Sequence, residues 1–431
     1  MEKIEYKQLK ETLYHERLAN GLEVYILPKT EFSKTYATFT TKYGSIDDQF
    51  DVEGKGKFQV PDGVAHFLEH KMFEQESGED VFQTFSRQGA SANAFTSFTR
   101  TAYLFSCTEQ VDQNVNTLLD YVQSPYFTTK NVEKEKGIIG QEIRMYDDNP
   151  DWRSYFGLIE GMYQKHPVRI DIAGTIESIG NITDEILYDC YNTFYHPSNM
   201  LFFIAGPVEP EEMLKLIVSN QKSKSFTEAP QIKRYIANEP GDVAIKDHTI
   251  SLPVSVPKCL FGFKESNSYL NQTADQYLKQ EFLTEMMLEA LVGRSSTFYQ
   301  TLYDEGLIDE SFSYSYTLEQ SFGFSMMGGD THHPDELVAR FKSEVPTVLE
   351  QGIDYETFER IKKKKIGSIL RYFNSPEWIA NQFTNYRFNG ADLFQMIPVL
   401  ESLRIEDLND RLHQHIAWDR FTVSKVLSPE S

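Results

Sequence analysis

One stretch of this 431-residue chain lies over another without a gap. Residues 132–152 (VEKEKGIIGQEIRMYDDNPDW) and 358–378 (FERIKKKKIGSILRYFNSPEW) share a plan: a charged helix, a Tyr, then Pro-acid-Trp. Few residues are identical. Even so, Pro150-Asp151-Trp152 and Pro376-Glu377-Trp378 fall at the same distance past their helices, which favours duplication over chance. A duplicated chain must build one architecture twice. We expect two similar α+β domains, each a mainly antiparallel sheet packed against helices.

The local patterns agree. Asn20-Gly21 signals a hairpin leading into an apolar run at 22–27 and a second at 35–43. Residues 64–73 and 81–85 read as helical, 92–106 as one extended strand rich in Thr, Phe and Tyr, and 111–121 and 132–145 as amphipathic helices. The apolar run at 200–208 (MLFFIAGPV) is far short of the roughly 20 residues needed to span a bilayer, so it reads as a buried strand. Residues 222–242 mix Ser, Lys, Pro and Gly with little apolar periodicity. The expected division is therefore 1–225, a linker at 226–242, and 243–431.

Charge narrows the partners. Lys and Arg number 42 against 64 Asp and Glu, so the net charge is 42 − 64 = −22, which argues against nucleic acid and anionic membranes. Residues 362–365 (KKKK) then read as a solvated helix face. Cys107, Cys190 and Cys259 are scattered and form no CxxC. With no signal-like N-terminal run, a cytoplasmic protein without membrane insertion is expected.

One motif carries chemistry: His66-Phe67-Leu68-Glu69-His70, an H-x-x-E-H. On a helix, positions four apart share a face, so both imidazoles can reach one metal ion, with Glu69 near a metal-bound water. Two His four apart also occur as plain surface residues, so the pattern alone leaves both readings open. Gly63 before the motif, the apolar helix it opens and the carboxylate-rich helix after it favour the metal. Two imidazoles leave Zn²⁺ short of the third protein ligand usual in catalytic sites. His332 and His333 read as loop residues, and His413 and His415, two apart on a helix, would not share an ion.

The strings GVAHFLEHKMF (63–73), SANAFTSFTRTAYLFS (91–106), EKEKGIIGQEI (133–143), HPSNMLFFIAGPVEPEEM (196–213) and GRSSTFYQTLYDEGLID (293–309) together resemble the pitrilysin, mitochondrial processing peptidase and insulin-degrading enzyme family. These are inverted-zincin metallopeptidases, and the resemblance is strongest to small bacterial members of about this length, often encoded as pairs of unlike chains. It implies one Zn²⁺ per chain held by His66, His70 and Glu142, the last lying 72 residues beyond His70. It implies catalytic roles for Glu69 and for Glu135, seven residues before Glu142 on the same helix face, although a supporting place beside the metal suits Glu135 equally. It implies that Asn93, Ala94 and Phe95 lie on a strand to which an extended peptide adds; a local strand-end role for Asn93 stays open.

The second half has no H-x-x-E-H, and Ser368 and Ile361 stand where Glu142 and Glu135 stand in the first. In the family such a sterile domain closes a chamber and lends an Arg and a Tyr to the substrate carbonyl. Here Tyr303 and Asp309 occupy those places, and an Asp there would oppose a developing oxyanion. Arg294 is undecided. The resemblance thus implies a peptide-cleaving zinc metalloendopeptidase that works as the zinc-bearing subunit of a dimer. The expected partner is a related chain keeping the Arg and Tyr, or a second copy. The competing reading is a non-catalytic scaffold or peptide-binding subunit.

Overall fold

The computed structural model describes residues 1–270 and 272–429; residues 430–431 of the expected second half lie outside the described residues. The chain forms two compact units. One comprises residues 1–143, 171–236 and 371–388, the other 144–170, 237–370 and 389–431. Neither is a continuous stretch, in contrast to the 1–225 and 243–431 halves read from the sequence.

In the first unit the strands are β1 (Glu2–Tyr6), β2 (Glu11–Arg17), β3 (Glu23–Pro28), β4 (Thr35–Thr41), β5 (Gln49–Val52), β6 (Gly56–Gln59), β7 (Ala90–Thr96), β8 (Thr101–Cys107), β9 (Met200–Gly206) and β10 (Ile232–Arg234). Among the described residues, seven of them form one sheet in the order β1-β2-β3-β9-β4-β8-β7, antiparallel except for the β3–β9 pair. Its helices are α1 (Val64–Met72), α2 (Val81–Arg87), α3 (Val111–Val122) and most of α4 (Thr129–Asp147).

Every residue of β4 and β9 is buried, so both faces of the sheet centre are covered. On one face Ala37, Phe39, Phe202 and Ile204 join the core with Phe67 and Leu68 of α1 and Val115 and Leu118 of α3. The other face is covered by the helix Pro376–Phe388, whose Phe383 ring lies 4.7 Å from Tyr25 and 4.8 Å from Phe203. Asn381 Nδ2 also donates to Tyr36 Oη at 3.3 Å.

The second unit repeats the arrangement with the origins exchanged. Its strands β11 (Asp247–Ser251), β12 (Lys258–Phe263), β13 (Ser313–Leu318), β14 (Gly323–Asp330) and β15 (Phe421–Leu427) form, among the described residues, a five-stranded sheet in the order β11-β15-β12-β14-β13. Helix α5 (Pro150–Met162) packs against it. The approach is close enough to need glycine: a Cβ on Gly157 would stand 2.6 Å from Ser424 Oγ, and one on Gly161 2.7 Å from Thr422 Oγ1. The two Pro-acid-Trp segments are therefore the starts of the two helices that each half contributes to the other half's sheet. Each start carries the same ring pair: Tyr146 stacks on Trp152 at 4.5 Å, and Tyr372 on Trp378 at 5.3 Å.

Two further readings change. Residues 92–106 are a hairpin, because Ser97 N–H donates to Arg100 O at 2.8 Å and turns the chain between β7 and β8. The expected linker is tied down on both sides. Its residues 232–234 form β10 against β5, and the Glu239 carboxylate accepts the backbone N–H groups of Gln164, Lys165 and His166, each at 2.8 Å. No helix of the described residues is long and apolar enough to cross a membrane.

A buried polar cluster pins helices to one end of the second sheet. Glu265, just past β12, receives Tyr316 Oη at 2.6 Å and Gln280 Nε2 at 3.2 Å, and pairs with Arg411. His415 lies 3.4 Å from the same carboxylate and 2.8 Å from Ser325 Oγ. Burial alone would raise the Glu265 carboxyl, but the Arg411 guanidinium and His415 hold it well below its usual value; burial lowers His415. Glu265 thus contributes stability that is present above its unfolded value near 4.5 and lost as pH falls through its depressed folded value. Charging His415 below 6.5 acts in the same direction, because its folded value is also depressed. We predict that Glu265→Gln, which leaves Arg411 buried without its anion, destabilises this unit by roughly 3–5 kcal/mol. The urea midpoint should fall, and the acid limb of the wild-type pH–stability curve should flatten in the variant.

Candidate metal centre

Gly63 opens α1 at φ +90°, and a Cβ there would meet Ala173 O at 2.4 Å, so both the turn and the packing require glycine. Seven of the nine residues of α1 are buried, His66 among them. The apolar neighbours of the motif thereby hold the His66 imidazole beneath the surface, while His70 is half-buried.

The rings of His66 and His70 lie 4.6 Å apart, and Glu142 reaches them from α4. Glu142 Oε1 is 3.7 Å from His66 Nε2, and its Oε2 is 3.5 Å from His70 Nε2. One donor atom from each of the three residues lies within 4.8 Å of the others. These gaps are longer than an ordinary hydrogen bond. They are close to the roughly 3.3 Å expected of two donors held about 2.0–2.1 Å from one tetrahedral zinc. Burial pushes the His66 imidazole down to about 3, helped by its neighbour His70, so it is neutral, as a ligand must be. His66 Nδ1 is buried and has no hydrogen-bond partner. The donor set, two imidazoles and a carboxylate, suits Zn²⁺.

Of the remaining expected residues, Glu135 and Glu69 lie on the same two helices as this cluster. Glu135 Oε1 is 3.1 Å from His70 Nδ1, the ring nitrogen turned away from Glu142. Burial works to lower His70, yet the Glu135 bond and the carboxylates of Glu69 and Glu142 raise it above its ordinary value. Burial raises the Glu69 carboxyl, with the Thr96 hydrogen bond opposing. Asn93, Ala94 and Phe95 lie in β7, which is an edge of the sheet and is paired with β8. Asn93 is exposed, and its Oδ1 accepts the Ala94 N–H at 2.9 Å.

Two residues escape a reading of the sequence. Thr96 Oγ1 donates to Glu69 Oε2 at 2.6 Å; the period-two alternation of β7, which puts Ala92, Ala94 and Thr96 on one face, is the signal that points to it. Lys71, inside the motif helix, is fully buried and pairs with Glu74 and Glu135. No pattern in the sequence marks a lysine as internal.

Two family models cover most of the chain: "Insulinase (Peptidase family M16)" matches residues 59–176, and "Peptidase M16 inactive domain" matches residues 181–365. The chain is 56% identical to the uncharacterized zinc protease YmfH of Bacillus subtilis over 98% of both proteins. Its fold is similar to that of a putative M16-like peptidase from Alicyclobacillus acidocaldarius, with a TM-score of 0.94 and 44% identity over 97% of this chain and 98% of that one. A protease from Helicobacter pylori shares the fold at 18% identity, with a TM-score of 0.83 over 96% of this chain and 99% of that one.

Metal analysis provides the direct check on the cluster. Zinc titrated into metal-free protein should saturate near one ion per chain, and His66→Ala or Glu142→Ala should abolish retention through desalting. Full retention in either variant would place the ion elsewhere.

Proposed function

Because the chain belongs to peptidase family M16, we propose that it is a zinc metalloendopeptidase hydrolysing peptides or unfolded segments. The observation that carries this reading is the placement of Glu69: its carboxylate sits on the same short helix as two of three converging metal-type donors and is held by Thr96. His66, His70 and Glu142 would hold the zinc, which when bound supplies Lewis-acid chemistry, polarising a carbonyl and making a water easier to deprotonate.

Glu69 is the general base and acid. It takes the proton of the attacking water and delivers it to the leaving amine. Burial, which raises its carboxyl above the ordinary range, moves it towards the working pH of such a group. Thr96 restricts the carboxylate to one orientation through the bond to Oε2, leaving Oε1 for the water. An extended substrate adds to the outer edge of β7 beside Asn93, Ala94 and Phe95. Backbone pairing there gives affinity with little side-chain selection.

The second half supports a shared rather than solitary site. Tyr303 is exposed on the helix Thr297–Asp304, and the Asp309 carboxylate is engaged by Ser311 N–H at 2.8 Å and Ser311 Oγ at 2.5 Å. Neither position offers a cation to a developing oxyanion. We therefore read the chain as the zinc-bearing member of a pair with a related chain that supplies an Arg and a Tyr.

Two measurements test this. Glu69→Gln should retain one zinc and lose roughly 10²–10⁴-fold in kcat on an unfolded protein substrate; unchanged cleavage would remove Glu69 from the mechanism and favour a scaffold. Co-expression with a related chain carrying the Arg and Tyr should raise kcat/KM, and an identical rate with and without it would overturn the pairing.

A further inference from the structure

Lys71 follows His70 on α1, and its side chain is completely buried. An ammonium removed from water is costly unless anions surround it. Two do. Its Nζ donates to Glu74 Oε2 and stands 3.7 Å from Glu135 Oε2. The other oxygen of the same carboxylate, Glu135 Oε1, is 3.1 Å from His70 Nδ1. A buried cation, a buried carboxylate and a ligand-type imidazole are thus joined in sequence.

We infer that Lys71 is a positioning residue for His70, acting through Glu135 on the metal affinity of the site. The inference rests on reading His66, His70 and Glu142 as the zinc ligands. The two oxygens of Glu135 face different partners, Oε2 the Lys71 ammonium and Oε1 His70 Nδ1. Lys71 thus holds one end of the carboxylate and turns the other towards the imidazole, which fixes the orientation of the ring. With Nδ1 engaged on that side, Nε2 is the nitrogen that faces Glu142 Oε2 at 3.5 Å. Glu74 is part-exposed and can be satisfied by water in its other conformations; Glu135 is buried, so it depends on the internal cation.

The test uses the full chain and zinc alone. Dissociation constants are measured by chelator competition for wild type, Lys71→Met, Lys71→Arg, Glu135→Gln and the Lys71→Met/Glu135→Gln double variant, with folding checked by circular dichroism. The visible spectrum of the cobalt-substituted protein reports ligand geometry independently of turnover. Lys71→Met should weaken zinc binding roughly ten- to hundredfold and shift the cobalt spectrum. Lys71→Arg, which keeps the charge, should recover most of that loss. In the Glu135→Gln background, Lys71→Met should add less than about twofold, because the path to His70 is already cut. Wild-type affinity and spectrum in a folded Lys71→Met protein would overturn the inference alone. So would full additivity in the double variant, or an arginine that behaves like methionine. A wild-type chain that binds no zinc would overturn the metal reading itself.

Discussion

The centre of the first sheet is dry on both faces, and much of the architecture follows from that constraint. Strands β4 and β9 have no solvent-facing residues, so each face needs a helical layer, and a continuous half-chain supplies only one. The segment after α4 leaves to pack on the second sheet through Gly157 and Gly161, and the helix Pro376–Phe388 takes the corresponding place on the first. Covering the centre also decides where a site can lie. With β4 and β9 enclosed, the strand that still offers backbone groups near α1 is the edge strand β7, and the motif helix packs against it.

A metal centre in such surroundings is an electrostatic problem before it is a catalytic one. Glu69, Glu135 and Glu142 are gathered on two helices, with the buried ammonium of Lys71 beside Glu135. Carboxylates held this close repel one another and resist burial. His66, neutral in its buried position, gives no relief, and His70 is drawn towards its charged form by the three carboxylates. An excess of negative charge beside two imidazoles is what a divalent cation would offset.

How much of this could be read from the sequence depends on the range of each interaction. His66, Glu69 and His70 are legible because helical geometry relates positions three and four apart without reference to the rest of the fold. Glu142 was reached through family resemblance, since nothing local says that α4 lies across from α1. The strand at 200–208 was legible because a run buried on both faces carries no alternation to misread. The hairpin at 90–107 was not, because the turn at 97–100 is closed by Ser97 and Arg100, neither of which breaks the β-forming composition. The exchanged helices escaped for a different reason. Their capping and their Tyr–Trp stacks are local, but the sheet they cover is a matter of long-range packing. The burial of His415 against Glu265 escaped as well, because it depends on residues 150 positions apart in sequence (415 − 265).

Among the described residues, one repeat has a metal-type cluster and the other does not. In the first repeat the helix α4 brings Glu135 and Glu142 to the imidazoles of α1. In the second, the helix Tyr355–Tyr372 has Ser368 and Ile361 at the equivalent positions and carries cations one turn away from each. Lys364 Nζ stands 2.7 Å from Glu289 Oε1, and Lys365 pairs with Glu285, both acids belonging to the helix Ala274–Val292. Tyr314 of β13 donates to the same Glu289, much as Thr96 of β7 donates to Glu69. The second repeat therefore keeps the helix–helix–edge-strand arrangement but neutralises its acids with lysines on the covalent chain. A pair of helices that closes its own charge balance has no electrostatic need for a divalent ion. In the first repeat Lys71 stands beside one acid, Glu135, and the converging donors of His66, His70 and Glu142 are of the type that a divalent ion takes.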